Sequence, residues 1–320
     1  MNELVPTHEI GPTSLAEPIW KIRWKLTKRS LRQNWEIFKE SRIGILGIIL
    51  IIAFGIFGAM WPVMINTVWD PMVYDPVVGF DPMIMHPSPP SASHLLGTDP
   101  IGRDILAQLM YSTGREFLLG VLSALITVVI GTAVGTAAAY YGGFIDTFFM
   151  RIADIILLFP FIPLLVVVGA MVKLSFLPFA IIMGVLGGFG GITIILKAQA
   201  LSVSVRPYID AARVAGGSDF HIIVSHIIPN VLPLSFLYMM FSVTSAILSE
   251  ATLSFFGVLN IDMSWGMMIH TADVAGYLFD FAKYWWLWAP AGLAITLFCA
   301  AFYMVGRGLD EVVNPRLRKR

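Results

Sequence analysis

Six long stretches of this chain contain no Asp, Glu, Lys or Arg: 43–65, 117–145, 155–172, 174–196, 220–249 and 284–306. A bilayer core about 30 Å thick needs about 20 apolar residues in a helix rising about 1.5 Å per residue. The blocks therefore predict helices near 43–65, 117–141, 151–172, 176–197, 230–254 and 285–306. Lys173 and Pro178 mark a very short hairpin between the third and fourth. The expected fold class is an all-α integral membrane protein with six transmembrane helices. Composition agrees, since 57% of residues are hydrophobic and 13% charged, about half the charge of a soluble domain.

Lys+Arg and Asp+Glu both total 21, so the net charge is zero. That disfavours a nucleic-acid binder, an acidic tail and a disordered chain. The single Cys, Cys299, excludes an intramolecular disulfide framework and a Cys-cluster metal site. The stretch 1–42 is polar, so no cleavable signal peptide is expected.

The charges sort by side. Residues 1–42, Arg151, the connection 197–229 and the C-terminal end hold 17 of the 21 Lys and Arg, whereas the opposite connections hold Arg103, Arg115, Lys173 and Lys283. By the positive-inside rule both termini are expected to be cytoplasmic. Nine carboxylates, Glu116 among them, are expected outside. Residues 1–42 interleave Trp20, Trp24, Trp35 and Phe38 with basic residues, as an interfacial helix on the inner leaflet would. The other divisions expected are a first helix with external loop over 43–115, a core over 116–310 and a basic tail over 311–320.

The external connection 66–115 contains Asp70-Pro71, Asp75-Pro76 and Asp81-Pro82, which read as extended turns. The internal connection 198–229 carries more information. Pro207 can start a helix with Asp210 in its first turn. Ala211 and Ala212 are small and allow close approach. Gly216-Gly217 can end that helix, Ser218 can cap the next with Asp219 following, and Pro229 is expected to interrupt the register at the membrane boundary. Two short helices at a Gly turn could seal the bundle or dock a cytoplasmic partner, and spacing does not choose between these.

Several chemistries lack their motifs. No Lys follows a Gly, so there is no phosphate-binding loop of the G-x-x-x-x-G-K type. Neither H-E-x-x-H nor G-x-S-x-G occurs. His221 and His226, about 140° apart on a regular helix, are a poor joint metal site. No catalytic residue, metal or bound cofactor is expected. Asp154 and Glu250 are the carboxylates nearest to lying in the membrane, either partnered near the interface or part of a gate. Gly187, Gly188, Gly190 and Gly191 mark either a broken helix or close packing.

At this point the sequence resembles the permease subunits of binding-protein-dependent ABC importers. The internal loop is similar to their "EAA" signature: Asp210-Ala211-Ala212, Gly216, then His226-Ile227-Ile228-Pro229-Asn230. Further matches point to the dipeptide/oligopeptide (and nickel) branch, C-type subunit. They include Leu96-Gly97-Thr98-Asp99, Gly102-Arg103-Asp104, Gly114-Arg115, Tyr141-Gly142-Gly143, Glu250-Ala251 and Ser264-Trp265-Gly266. The likeness covers roughly residues 40–315. Asp210 stands where the family usually has Glu, so a carboxylate contact there has less reach.

The resemblance implies a type I ABC importer permease fold in the cell membrane. Two permease subunits would form the pore. Two ABC ATPases carrying ATP and Mg would grip the loop at Asp210, Ala211, Ala212, Gly216, Ser218, Asp219, His226 and Pro229. An extracytoplasmic solute-binding protein would deliver the solute, with Asp99, Arg103, Asp104 and Trp265 facing it or the outer gate. Peptides are the first expected solute, oligosaccharides or nickel the alternative. A self-contained secondary transporter or channel is the reading from another class, and its usual inverted repeats and multiple intramembrane charges are not found.

Overall fold

The structure is a computed structural model describing residues 19–172 and 174–313. Lys173 of the hairpin, residues 1–18, residues 314–320 with the tail's basic residues, and the side chain of Trp20 lie outside the described residues. Helix α1 (Ile19–Glu40) precedes α2 (Arg42–Thr67), whose N-cap Ser41 accepts a hydrogen bond from the Gly44 N–H. A long loop with one short helix, α3 (Pro71–Tyr74), leads to α4 (Ile105–Tyr141). Then come α5 (Gly143–Leu158), α6 (Phe161–Met171), α7 (Phe176–Phe189) and α8 (Gly191–Ser204). Short α9 (Pro207–Val214) and α10 (Asp219–Ile222) are followed by a π-helical turn, Ile223–Ile227, and α11 (Ile228–Phe255). Helices α12 (Trp265–Val274) and α13 (Ala289–Val313) complete the order.

Four helical runs are long and apolar enough to cross a bilayer: α2, α4, the continuous run Asp219–Phe255, and α13. Two further helix pairs are long and apolar enough only when taken together and are bent, α5 with α6 at 87° and α7 with α8 at 42°. Counting each pair once gives the six expected spans, but the third and fourth are not straight. Phe159 and Pro160 are both extended at the first break, as the residue before a proline prefers. Gly190 makes the second break.

Three boundaries also differ from the charge-based reading. Helix α4 begins well ahead of the expected 117, at Ile105, because Asp104 caps it by accepting the Ala107 N–H at 2.7 Å. Arg115 does not end the span: its guanidinium pairs with Asp262 at 3.3 Å and lies over Tyr111 and Phe176. Glu116 consequently belongs to the bundle interior rather than to an external loop, with 2% of its surface exposed. Helix α13 starts at Ala289, after a 3-10 turn, and continues past Arg307, which pairs with Asp310.

Helix α4 is the central post, packed against α2, α7, α8 and α11. Lipid tails are as apolar as Leu, so close packing and interhelical hydrogen bonds hold such bundles together. Ser123 and Thr127 of α4 donate to the Ala180 and Gly184 carbonyls of α7 at 3.0 and 3.1 Å. Gly135 lets α8 approach so closely that a Cβ there would lie 2.9 Å from the Lys197 backbone nitrogen. The Gly-rich stretch serves both expected ends: Gly190 makes the break, and ahead of it a Cβ at Gly187 or Gly188 would stand 2.8 or 2.7 Å from Thr127 or Ile130 of α4.

Candidate functional site

The connection 198–229 forms a small projecting unit. Pro207 sits in the first turn of α9, where its missing N–H leaves no bond unmade. Ile209 is fully buried and packs with Leu196, Val203, Ile222 and Ile227 in a cluster separate from the main core. That buried residue fixes the other face outward. Asp210 is exposed and pairs with Arg213 at 3.2 Å. Beside it the surface shows Val214 at 90% and Phe220 at 74% exposure.

Helix α9 ends in two nested bonds, Gly216 N–H to the Arg213 carbonyl and Gly217 N–H to the Ala212 carbonyl. This is the Schellman arrangement, which places a residue at positive φ. Gly216 supplies it with φ +82°, and a Cβ there would meet nothing within 4 Å. Ser218 then caps α10 by accepting the His221 N–H at 3.3 Å. Tyr140, at the end of α4, braces the unit: its hydroxyl donates to Asp219 at 2.7 Å, and Arg213 lies over its ring. Sequence spacing gave no signal for this brace, because Tyr140 and Asp219 are remote from one another along the chain.

Two features of the second helix bear on the expectations for Pro229 and for the histidine pair. The register is interrupted just ahead of Pro229, without a break in the helix. The chain absorbs the proline by widening one turn, with Ile228 N–H bonded to the Ile223 carbonyl five residues back. The same π-helical turn rotates the later side chains, so His221 and His226 are not on divergent faces. Their ring centroids stand 5.6 Å apart, edge to face. Among the described residues no group of three or more His, Cys, Asp or Glu is arranged to hold a metal.

Within the membrane, α4, the α5–α6 and α7–α8 breaks and α11 enclose a cavity of about 640 Å³. Its polar lining is hydroxyls, including Ser123, Thr127, Ser242 and Ser249, set among Phe159, Phe161 and Phe241. Asp154, Glu250 and Trp265 do not line it. Asp154 is exposed and pairs with Arg151 at 3.4 Å. Trp265 is fully buried on Phe54 and Phe298. Glu250 is 1% exposed and accepts from Ser254 at 2.5 Å, and the likewise buried Glu116 carboxyl is its neighbour.

At the far end, Asp99, Arg103 and Asp104 point inward rather than toward a partner. Arg103 pairs with Asp99 at 2.6 Å and reaches Thr271 of α12, while Gln108 also donates to Asp99. Fully buried His94 bridges Asp104 at 2.8 Å and Asp81 at 3.1 Å. Burial pushes the Asp104 carboxyl above its ordinary value, whereas the Met83 N–H and then His94 hold Asp81 below it. The outer surface of this loop is apolar instead, with Met72, Met83 and Met85 more than 80% exposed.

Residues 117–319 match the family of binding-protein-dependent transport system inner membrane components. The chain belongs to this family. Among relatives, the Bacillus subtilis oligopeptide transport system permease protein OppC is 31% identical over 301 residues, 92% of this chain and 90% of its own. The B. subtilis dipeptide transport system permease protein DppC is 35% identical over 236 residues, 72% of this chain and 71% of its own. The Haemophilus influenzae DppC is 28% identical, covering 91% of this chain and 97% of its own. The chain is thus an inner-membrane transport component with several membrane-spanning helices. Its projecting loop, the bent spans and the hydroxyl-lined cavity all lie within the matched region.

Proposed function

We propose that this chain is one permease subunit of an ATP-driven importer of peptides. With a second permease subunit it forms the pathway, the 640 Å³ cavity being its share. Hydroxyls and aromatic rings without a fixed charge suit a passage for peptides of varied side chain and charge. Both termini lie in the cytoplasm, with the excess of Lys and Arg.

The observation that carries the reading is the unit at 207–222. It presents Asp210, Val214 and Phe220 to solvent on a rigid base anchored by Ile209 and Tyr140. A surface so apolar at the tip is suited to a protein groove. Two ABC ATPases supply that groove and hold ATP and Mg, while this chain contributes the contact and no catalytic group. A solute-binding protein docks at the opposite end, on the exposed surface beside Asp81 and Met83. The ATPases move the bundle only if they bind its two access states with different affinity.

Purification of the assembled transporter tests this. A second permease and two phosphate-loop ATPases are expected to accompany the chain. Uptake by the lone chain in liposomes would instead establish a self-contained carrier. Binding of labelled peptides, oligosaccharides and Ni²⁺ to the companion binding protein then reads out the solute, with peptides expected to bind.

A further inference from the structure

At the end of the bundle that carries α1, helices leave a second hollow of about 780 Å³, distinct from the central cavity. Its walls are apolar: Trp35 and Phe38 of α1, Leu232 and Phe236 of α11, Leu309 and Val313 of α13. The size falls within the roughly 300–1,000 Å³ of small-molecule sites. Phe38 pins α1 in place. Its ring fills a notch between Gly44 and Gly308, where an added Cβ would stand 2.8 and 2.7 Å from it. Trp35, one turn earlier, remains 46% exposed over the groove mouth and carries Lys39 on its ring.

Asn34 brings an amide to the groove, and that residue is shared with an adjoining hollow lined by Arg29 and Arg32. Glu36 also borders that adjoining hollow, but it pairs with Lys39 at 3.3 Å. Guanidinium groups and an apolar slot between membrane helices therefore meet along two turns of one helix. Arginine forks fit phosphate oxygens. A slot between helices fits an acyl chain, which an uncharged lipid shares and a free phosphate lacks. We propose that this junction is a binding site for one anionic phospholipid, its phosphate at Arg29 and Arg32 and an acyl chain beside Leu232 and Leu309. The occupant would tie α1 to the start of α11, just beyond Pro229 and hence next to the projecting loop. The inference goes beyond peptide transport and does not depend on which solute crosses.

Native mass spectrometry of the full chain in its assembled transporter tests it, with phosphatidylglycerol, phosphatidylcholine and inorganic phosphate as separate probes. Phosphatidylglycerol is expected to bind about 30-fold more tightly than phosphatidylcholine, from two basic contacts of about 1 kcal/mol each. The Arg29→Gln/Arg32→Gln variant should bring the two lipids level. Leu232→Trp, which fills the slot, should release both while the complex stays assembled. Equal binding of the two lipids by the wild type would overturn the proposal. So would phosphatidylglycerol retention unchanged in the double Arg variant, or saturation by inorganic phosphate alone.

Discussion

The turn at Gly216 offers the sharpest test of the projecting loop, because its conformation and its surroundings separate cleanly. Its φ of +82° is unfavourable for residues with a Cβ, yet a Cβ there would touch nothing within 4 Å. In the isolated chain, Gly216→Val therefore carries a backbone penalty of about 1–2 kcal/mol and no clash. That shifts the population of the nested turn about 5- to 30-fold. Asn tolerates the left-handed region, so Gly216→Asn should shift it only about two- to threefold. Main-core packing is untouched, so insertion and thermal unfolding in detergent should match the wild type for both variants. The assay is retention of the ATPase subunits on purification, together with uptake. Retention should fall sharply for Val and much less for Asn. Equal losses for Val and Asn would refute the conformational argument, pointing to side-chain bulk at the docking contact. Unchanged retention with Val would refute docking at this turn altogether.

Four further outcomes follow from the packing. Glu116→Gln keeps the shape of the buried side chain and should alter thermal stability by less than about 1 kcal/mol, whereas Glu116→Ala leaves a cavity beside Glu250 and should cost about 1–3 kcal/mol. Gly135→Leu overpacks the α4–α8 contact and should lower the melting temperature by an amount equivalent to about 1–3 kcal/mol. His94→Ala removes the side-chain partner of buried Asp104, leaving it the Ala107 N–H, and should cost about 1–3 kcal/mol of loop stability, read as faster amide exchange over residues 91–108. Asp81 is held below its ordinary value of 3.8, so its contribution is present above that value and is lost as pH falls through the lower folded one. Exchange in that loop should accelerate over this acid range, and Asp81→Asn should flatten the dependence.

The number of spans was legible because a bilayer imposes length and apolarity locally, and each of those is a property of neighbouring residues. Their shapes were less so. The 87° break at Phe159 and Pro160 involves no charge, and hydropathy passes straight over it. Charges misplaced the start of α4, because Arg115 and Glu116 find their partners far along the chain, at Asp262 and Glu250. The loop's turn chemistry was readable down to Gly216 and Ser218, since caps depend on adjacent residues. Its Tyr140 brace was not. The motif at Asp99, Arg103 and Asp104 was recognisable as a pattern, but only the fold reveals that these side chains hold the loop to α12 rather than face outward.

The widened turn at Ile223–Ile227 has a mechanical consequence. By keeping Pro229 inside an unbroken helix, it makes Asp219–Phe255 one rod of 37 residues, about 55 Å long. Asp219, which receives the Tyr140 bond, sits at one tip, and Glu250 and Ser254 lie near the other. Pivoted at one end, a rod of that length needs a tilt of only about 5° to displace the other by about 5 Å, a full helical turn. A proline that broke the helix would have left a hinge there, and the motion would have been spent in bending. The π-helical turn instead joins α10 and α11 in one run, with the projecting loop at one tip and buried Glu250 near the other, so a push on that loop would act as on a lever.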